Sequence, residues 1–215
     1  MNPIKHTKGT KNAVKICSVM LLAFVFTLNG CLSRAPMKKE TLAFNAPAMT
    51  ATNGATGNRV LSIRTLQIDP PFNGRSLVYR TGEFSYERDP YAQFLGPPAD
   101  GLANLITEML RNDGCFKAVI KTGSAARPDT LVEINITQLY GDIRKPGSPY
   151  AILAMQVIFM NATNGLPGKV IFQQNYSRRI PMKSATPAAL MEGWNQAVTE
   201  IFADVASDFR NREIE

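Results

Sequence analysis

Few side chains in this sequence are equipped for catalysis. The single histidine, His6, stands ahead of a long apolar run, and no imidazole follows it. Triads, Cys–His dyads and imidazole-bound metals all need that ring. No Gly-x-Ser-x-Gly or Ser-x-x-Lys pattern occurs. Gly165-Leu166-Pro167-Gly168-Lys169 has the glycines and lysine of a phosphate loop but neither its spacing nor its hydroxyl residue, so it reads as a hairpin turn. Glu83 and Glu87 flank Tyr86, and Asp89 follows. Paired carboxylates can do acid–base work, but on an alternating strand they form a solvated face. The expectation is a chain with no catalytic residue, no metal and no cofactor, hence not an enzyme.

The cysteines point to different chemistry. Residues 1–15 are polar and basic, residues 16–28 are apolar, and Asn29-Gly30-Cys31 follow. That order is a secretory signal. The apolar run is shorter than the roughly 20 residues that span a bilayer. Leu28-Asn29-Gly30-Cys31 resembles the lipobox of bacterial lipoproteins. The resemblance implies a diacylglycerol on the Cys31 thiol and an acylated (palmitate-type) new amino terminus. Each buried CH₂ contributes about 0.8 kcal/mol, so two or more chains anchor stably. Leu32 after the cysteine implies sorting to the outer membrane. With Cys17 in the signal and Cys31 lipidated, Cys115 stands alone in an apolar context and reads as a small buried hydrophobe.

Charge agrees with this division. The formal net charge is +7, and Lys5, Lys8, Lys11 and Lys15 supply four of it within the signal. The remaining charge is too small to indicate nucleic acid. The expected organisation is a signal peptide at 1–30, a lipidated flexible tether at 31–58, rich in Ala, Thr, Asn, Pro and Gly, and a periplasmic domain at 59–215.

Within that domain, 59–68 and 76–80 read as strands separated by Pro70-Pro71 and Asn73-Gly74. In 83–88, Phe84 and Tyr86 alternate with polar residues, as in a half-buried strand hairpinned to 76–80. Leu102, Leu105, Ile106, Met109 and Leu110 recur at helical spacing, with Asp100 as N-cap and Gly114 as stop. Strands are expected at 115–121, 130–140, 150–160 and 169–180, the last with Val170, Phe172 and Tyr176 on one side. Thr186-Pro187 opens a final helix whose stripe is Met191, Trp194, Val198, Ile201, Val205 and Phe209. The fold expected is α+β: a mostly antiparallel sheet with two helices packed on one face, in the order β-β-β-α-β-β-β-β-α. Residues 150–160 are apolar on both faces, so Ile152 and Ile158 are either core or a partner or lipid contact. Tyr86, Tyr91 and Phe94 cluster in a polar, proline-bounded segment and either form the other contact patch or cover the sheet edge.

The chain resembles the ABC-type transport auxiliary lipoproteins from about Val60 to Phe209. The carrying segments are Leu77-Val78-Tyr79-Arg80, Glu83-Phe84-Ser85-Tyr86 and Tyr91-Ala92-Gln93-Phe94, then the helix ending Met109-Leu110. Gly114-Cys115-Phe116-Lys117-Ala118-Val119, Leu131-Val132-Glu133-Ile134 and the last amphipathic helix complete the pattern. The resemblance implies a lipoprotein on the periplasmic face of the outer membrane, paired with an MCE-domain protein and an ABC transporter that move lipid or another hydrophobic compound. ATP hydrolysis then belongs to a separate subunit. Membrane attachment is through the amino-terminal lipid, a homo-oligomer is compatible, and nucleic acid is not a partner. Two alternatives stay open: an assembly or plug lipoprotein for an outer-membrane barrel, and a tethered lipid-binding carrier.

Overall fold

The structure, a computed structural model, describes residues 39–45, 57–121 and 124–213. The expected signal, Cys31 and most of the expected tether lie outside these residues. The described chain forms strands β1 (Glu40–Leu42), β2 (Val60–Ile68), β3 (Ser76–Arg80) and β4 (Tyr86–Phe94), then helix α1 (Pro98–Asp113). Strands β5 (Ala118–Ile120), β6 (Thr130–Asp142), β7 (Tyr150–Thr163) and β8 (Leu166–Pro181) follow, and helix α2 (Pro187–Glu213) closes the order. β1 is an addition to the expected order and lies in the stretch read as tether.

β6 is the hub of the sheet. One edge pairs antiparallel with β7, which pairs antiparallel with β8. The other edge is shared: β2 runs parallel along Thr130–Ile136, and β3 runs parallel at Gly141 and Asp142. β5 extends β2, and β4 and then β1 extend β3. The sheet is therefore mixed, which corrects the expectation of a mostly antiparallel one. Only β3–β4, β6–β7 and β7–β8 are antiparallel among the described strands. The physical reason is the crossover through α1. A parallel partner needs a connection of about a dozen residues or more, and the α1 segment brings β6 back alongside β2. Alternation along a strand reports its faces and carries nothing about its partner's direction.

One face of the sheet is covered. Ala151, Leu153, Met155, Val157 and Phe159 of β7 point to that face and are essentially inaccessible. Leu61, Ile63 and Ile68 of β2 and Val132, Ile134 and Ile136 of β6 join them. α2 lays its expected stripe on this face: Trp194, Val198, Ile201, Val205 and Phe209 are fully buried. Trp194 Nε1 donates to the Ile152 carbonyl at 3.1 Å. Gly193 permits the approach, because a Cβ there would stand 2.5 Å from the Ala151 Cβ. Thr186 Oγ1 caps α2 by accepting from the Ala189 N–H. α1 starts at Pro98, two residues before the expected cap Asp100, and ends at Gly114 with φ 77°. Cys115 is 2 % exposed, as expected, with Sγ 3.8 Å from the Ala206 carbonyl.

Two local expectations change. Phe84 lies in the β3–β4 hairpin rather than in a strand, and it is 88 % exposed. Val170 does not share a side with Phe172, because the register shifts between Phe159 and Met160, and Val170 faces solvent.

Candidate contact surface

The five contact candidates occupy different environments. Phe94 is 3 % exposed and is covered from both sides. Its ring stacks on Phe44 at 5.4 Å and on Trp194 at 5.8 Å. β1 produces this arrangement: its register sets Leu42 against Phe94, and Phe44 follows two residues on. Phe94 is thus core, which removes it from the contact candidates and leaves the covering role. Tyr91 is half exposed on the irregular part of β4, where the pairing with β3 slips between Ser76 and Val78. Asp89 Oδ1 holds that kink by accepting from the Tyr91 and Ala92 N–H groups at 2.7 and 2.8 Å.

Tyr86 lies on the helix-free face. Its ring meets Tyr140 edge-on at 5.4 Å, and Tyr140 stacks on Phe72 at 5.6 Å. The Arg80 guanidinium sits 5.7 Å from the Tyr86 ring centre. Burial is the main cause that raises the Tyr140 phenol above its ordinary range.

Ile152 and Ile158 also point to the helix-free face, six residues apart on regular β7. Ile152 is nonetheless buried, opposite Tyr140 in register. Ile158 is half-buried and lines a shallow polar depression with Arg64, Thr65, Gln67, Glu133 and Gln156. Arg64 pairs there with Glu133. The second face of β7 is therefore half-buried and polar-lined at its middle, where Gln156 donates to Asn175 at 3.2 Å, with apolar character confined to single side chains.

A more apolar concavity lies elsewhere. A groove of about 450 Å³ runs between β1, the β4–α1 connection and the first turns of α1. Leu42, Phe44, Leu95, Pro97, Pro98 and Leu105 form its walls. Asp100 and Glu108 stand on its rim, the latter paired with Arg111 at 2.8 Å. Leu95 is 65 % exposed. This volume falls in the range of ligand pockets, roughly 300–1,000 Å³, and its apolar walls fit that class. Sequence reading passed over these residues. The signal available was Leu42-Ala43-Phe44, three apolar residues inside an otherwise polar stretch.

No described group of three or more His, Cys, Asp or Glu side chains is placed to hold a metal ion. Tyr79 is the one described residue with a buried side-chain polar atom lacking a hydrogen-bond partner, its Oη. Burial, with Asp89 and Glu40 nearby, pushes its phenol up.

Comparison with known proteins places this arrangement. The fold matches the crystal structure of a Xanthomonas campestris protein of family DUF330, with TM-score 0.65 and 15 % identity over 77 % of this chain and 91 % of that one. It also matches a second crystal structure of an uncharacterised protein, with TM-score 0.62 and 12 % identity over 80 % and 99 % of the two chains. At such identities the likeness concerns the fold alone. No curated protein shows significant sequence similarity to the chain. The family model of the ABC-type transport auxiliary lipoprotein component matches residues 41–206, which takes in every described strand from the middle of β1 onward and most of α2. The chain belongs to the ABC-type transport auxiliary lipoprotein family.

Proposed function

We propose that this protein is a non-catalytic, lipid-anchored component of an ABC transport system of the MCE type, acting on lipid or another hydrophobic compound at the periplasmic face of the outer membrane. The match of the family model across residues 41–206 carries this reading. The Leu28-Asn29-Gly30-Cys31 sequence supports lipidation at Cys31, and Leu32 supports the outer membrane as its destination. The domain would hold or position a conduit whose energy comes from another subunit. An MCE-domain protein and the transporter subunits are the partners this reading requires.

A second reading, a tethered carrier that itself binds a hydrophobic compound, is favoured by the apolar groove beside β1. Ile158, Tyr86 and Tyr91 are retained as contact residues on the accessible surface. Phe94 and Ile152 act only through the packing they support.

In-cell cross-linking of tagged full-length protein, followed by purification in mild detergent and mass spectrometry, tests the assignment. Recovery of an MCE-domain protein with its transporter supports it. Recovery of an outer-membrane barrel alone supports an assembly role instead. Stoichiometric lipid without a protein partner supports the carrier. Metabolic labelling with palmitate tests the anchor separately: label on the wild type and none on Cys31→Ser is the expected pattern.

A further inference from the structure

One end of the sheet combines cationic side chains with an exposed ring. A single rung crosses five strands there: Tyr86, Arg80, Asp142, Tyr150 and Pro181. Just beyond it lie the β3–β4 hairpin, the β6–β7 turn and the exit of β8. Phe84, in the hairpin, is the most exposed large hydrophobic side chain among the described residues.

The β6–β7 turn is built to hold a cation outward. The Ser148 N–H donates to the Lys145 carbonyl at 3.1 Å, and Gly147 takes φ 72°. Pro146 followed by a left-handed glycine is the chemistry of a type II turn. Arg144 makes two bonds to the buried Asp142 carboxylate, at 2.9 and 2.6 Å. Arg179 has only a 4.0 Å approach to the same carboxylate and is 56 % exposed. Its guanidinium lies 3.8 Å over the Tyr150 ring, which fixes its plane. One buried carboxylate thus faces two guanidinium groups, and Lys145 and Lys183 add to them. Glu83 and Glu87 are the opposing charges on the hairpin. The Tyr150 phenol is held below its ordinary range by the Ser148 hydroxyl first, with Arg179 and Lys145 contributing. This corner favours negative charge.

We propose that this end of the sheet is a contact face for an anionic phospholipid bilayer, with Arg179 and Lys145 on headgroup phosphates and Phe84 in the interfacial layer. Charge complementarity and an exposed ring at the same end of the sheet as the cations select a membrane surface over a free anion. The position of β1 agrees, in a step that rests on the proposed anchor at Cys31. β1 is parallel to β4 with Glu40 against Ala92, so its first residue is the one nearer this end. Ala92 stands six residues from Tyr86, about 20 Å along the strand. Nine residue steps lead from Cys31 to Glu40, which gives a reach of at most about 30 Å. That reach exceeds the span of about 20 Å along the strand, so a lipid at Cys31 leaves this end within range of the bilayer.

The test uses the full chain carrying Phe84→Trp, reconstituted in vesicles of phosphatidylcholine alone or mixed equally with phosphatidylglycerol, each with brominated acyl chains. Trp194, the chain's single tryptophan, is fully buried and serves as the unquenched reference. The expected result is quenching of the added indole in the anionic vesicles, weakened by salt. Lys145→Gln and Arg179→Gln should each lower the docking equilibrium about fivefold. Absence of quenching in both vesicles overturns the proposal, as does equal quenching in both that neither substitution changes. A response of the added indole to inorganic phosphate without quenching by lipid identifies a free-anion site and also overturns it. Failure of palmitate labelling would remove the anchor reading and leave this result standing by itself.

Discussion

The closest helix–sheet approach gives a sharp stability test. Gly193 lies in α2, where an alanine would ordinarily add up to about 1 kcal/mol through helix propensity. Here the new Cβ would lie 2.5 Å from the Ala151 Cβ, with Met182 Cγ next at 3.8 Å. Carbon atoms pack at about 3.5–4.0 Å, so helix and strand must separate by about 1 Å. The site is pinned on both sides, by Trp194 bonded to the Ile152 carbonyl and by Leu190 against the Gly141 position. Overpacking of this kind costs about 1–3 kcal/mol. Gly193→Ala should therefore be destabilising by up to about 2 kcal/mol net, which lowers the midpoint of thermal unfolding by up to roughly 8 °C for a domain of this size. Urea unfolding of the full chain followed by Trp194 fluorescence is the assay. Adding Ala151→Gly removes the colliding carbon, so the double variant should recover much of the loss, with a coupling of about 1–3 kcal/mol. A Gly193→Ala protein as stable as wild type, with no coupling to Ala151, would refute the close-packing argument.

Two tyrosines should behave in opposite ways. Tyr176 Oη donates to Asp208 at 2.7 Å, so Tyr176→Phe should cost about 1–2 kcal/mol in the same urea assay. Tyr79→Phe removes a buried hydroxyl with no partner among the described residues, so it should be neutral or stabilising by up to about 1 kcal/mol. Arg144, by hydrogen bonding, holds the Asp142 carboxyl below its ordinary range. A lowered folded-state pKa means that its stabilisation is complete above about pH 4 and is lost as pH falls from there through the folded value. Asp142→Asn should then be less stable than wild type near neutrality, with the gap closing in that acidic window. A gap that persists at the lowest pH would show that the ionised pair is not its source. Ile152→Asp should destabilise the domain strongly, because it places a carboxylate at a buried position against Tyr140, with only the partly exposed Arg179 in register to meet it. Ile158→Asp, on the same face but half-buried and opposite Glu133, should cost only about 1 kcal/mol, as read by circular dichroism on heating.

The helices were legible because their apolar residues repeat at the helical period, and α2 buries the stripe its sequence displays. β6 and the central part of β7 were legible as strands for a similar reason, through apolar composition and alternation. Pairing direction was not. β2 and the β3–β4 hairpin are neighbours in sequence, yet β2 and β3 attach to different rungs of β6 and not to each other. β1 was missed because Glu40-Thr41-Leu42 has one buried-type residue in three, and only its partner makes it a strand. That omission exposed Phe94 on paper, whereas Phe44 and Trp194 enclose it. Ile152 shows a related limit: apolar residues on both faces of β7 announced an unusual strand but not whether a neighbour's ring would cover it. The groove beside β1 depends on the same three-residue strand, so it was out of reach for the same reason.

The sharing of β6 has a consequence for the order in which the chain can fold. Ribosomes release a protein amino terminus first, at about 5–20 residues per second. β2 emerges long before its partner, since Leu61 pairs with Thr130 and Ile68 with Ile136. At that pace the wait is of the order of 3–15 s. The early half can close its β3–β4 hairpin and form α1, which packs on β2 and β5, but the β2 edge that pairs with β6 stays open. From β6 onward the situation reverses, because β6, β7, β8 and α2 follow one another and form a meander with its own helical cover. The late half is therefore self-sufficient in pairing, while the early half is a set of edges awaiting a template. A truncation that stops before Thr130 should leave the β2–β5 pair without β6 to join, and a ribosome stalled there should expose an open β2 edge that a holding chaperone can bind.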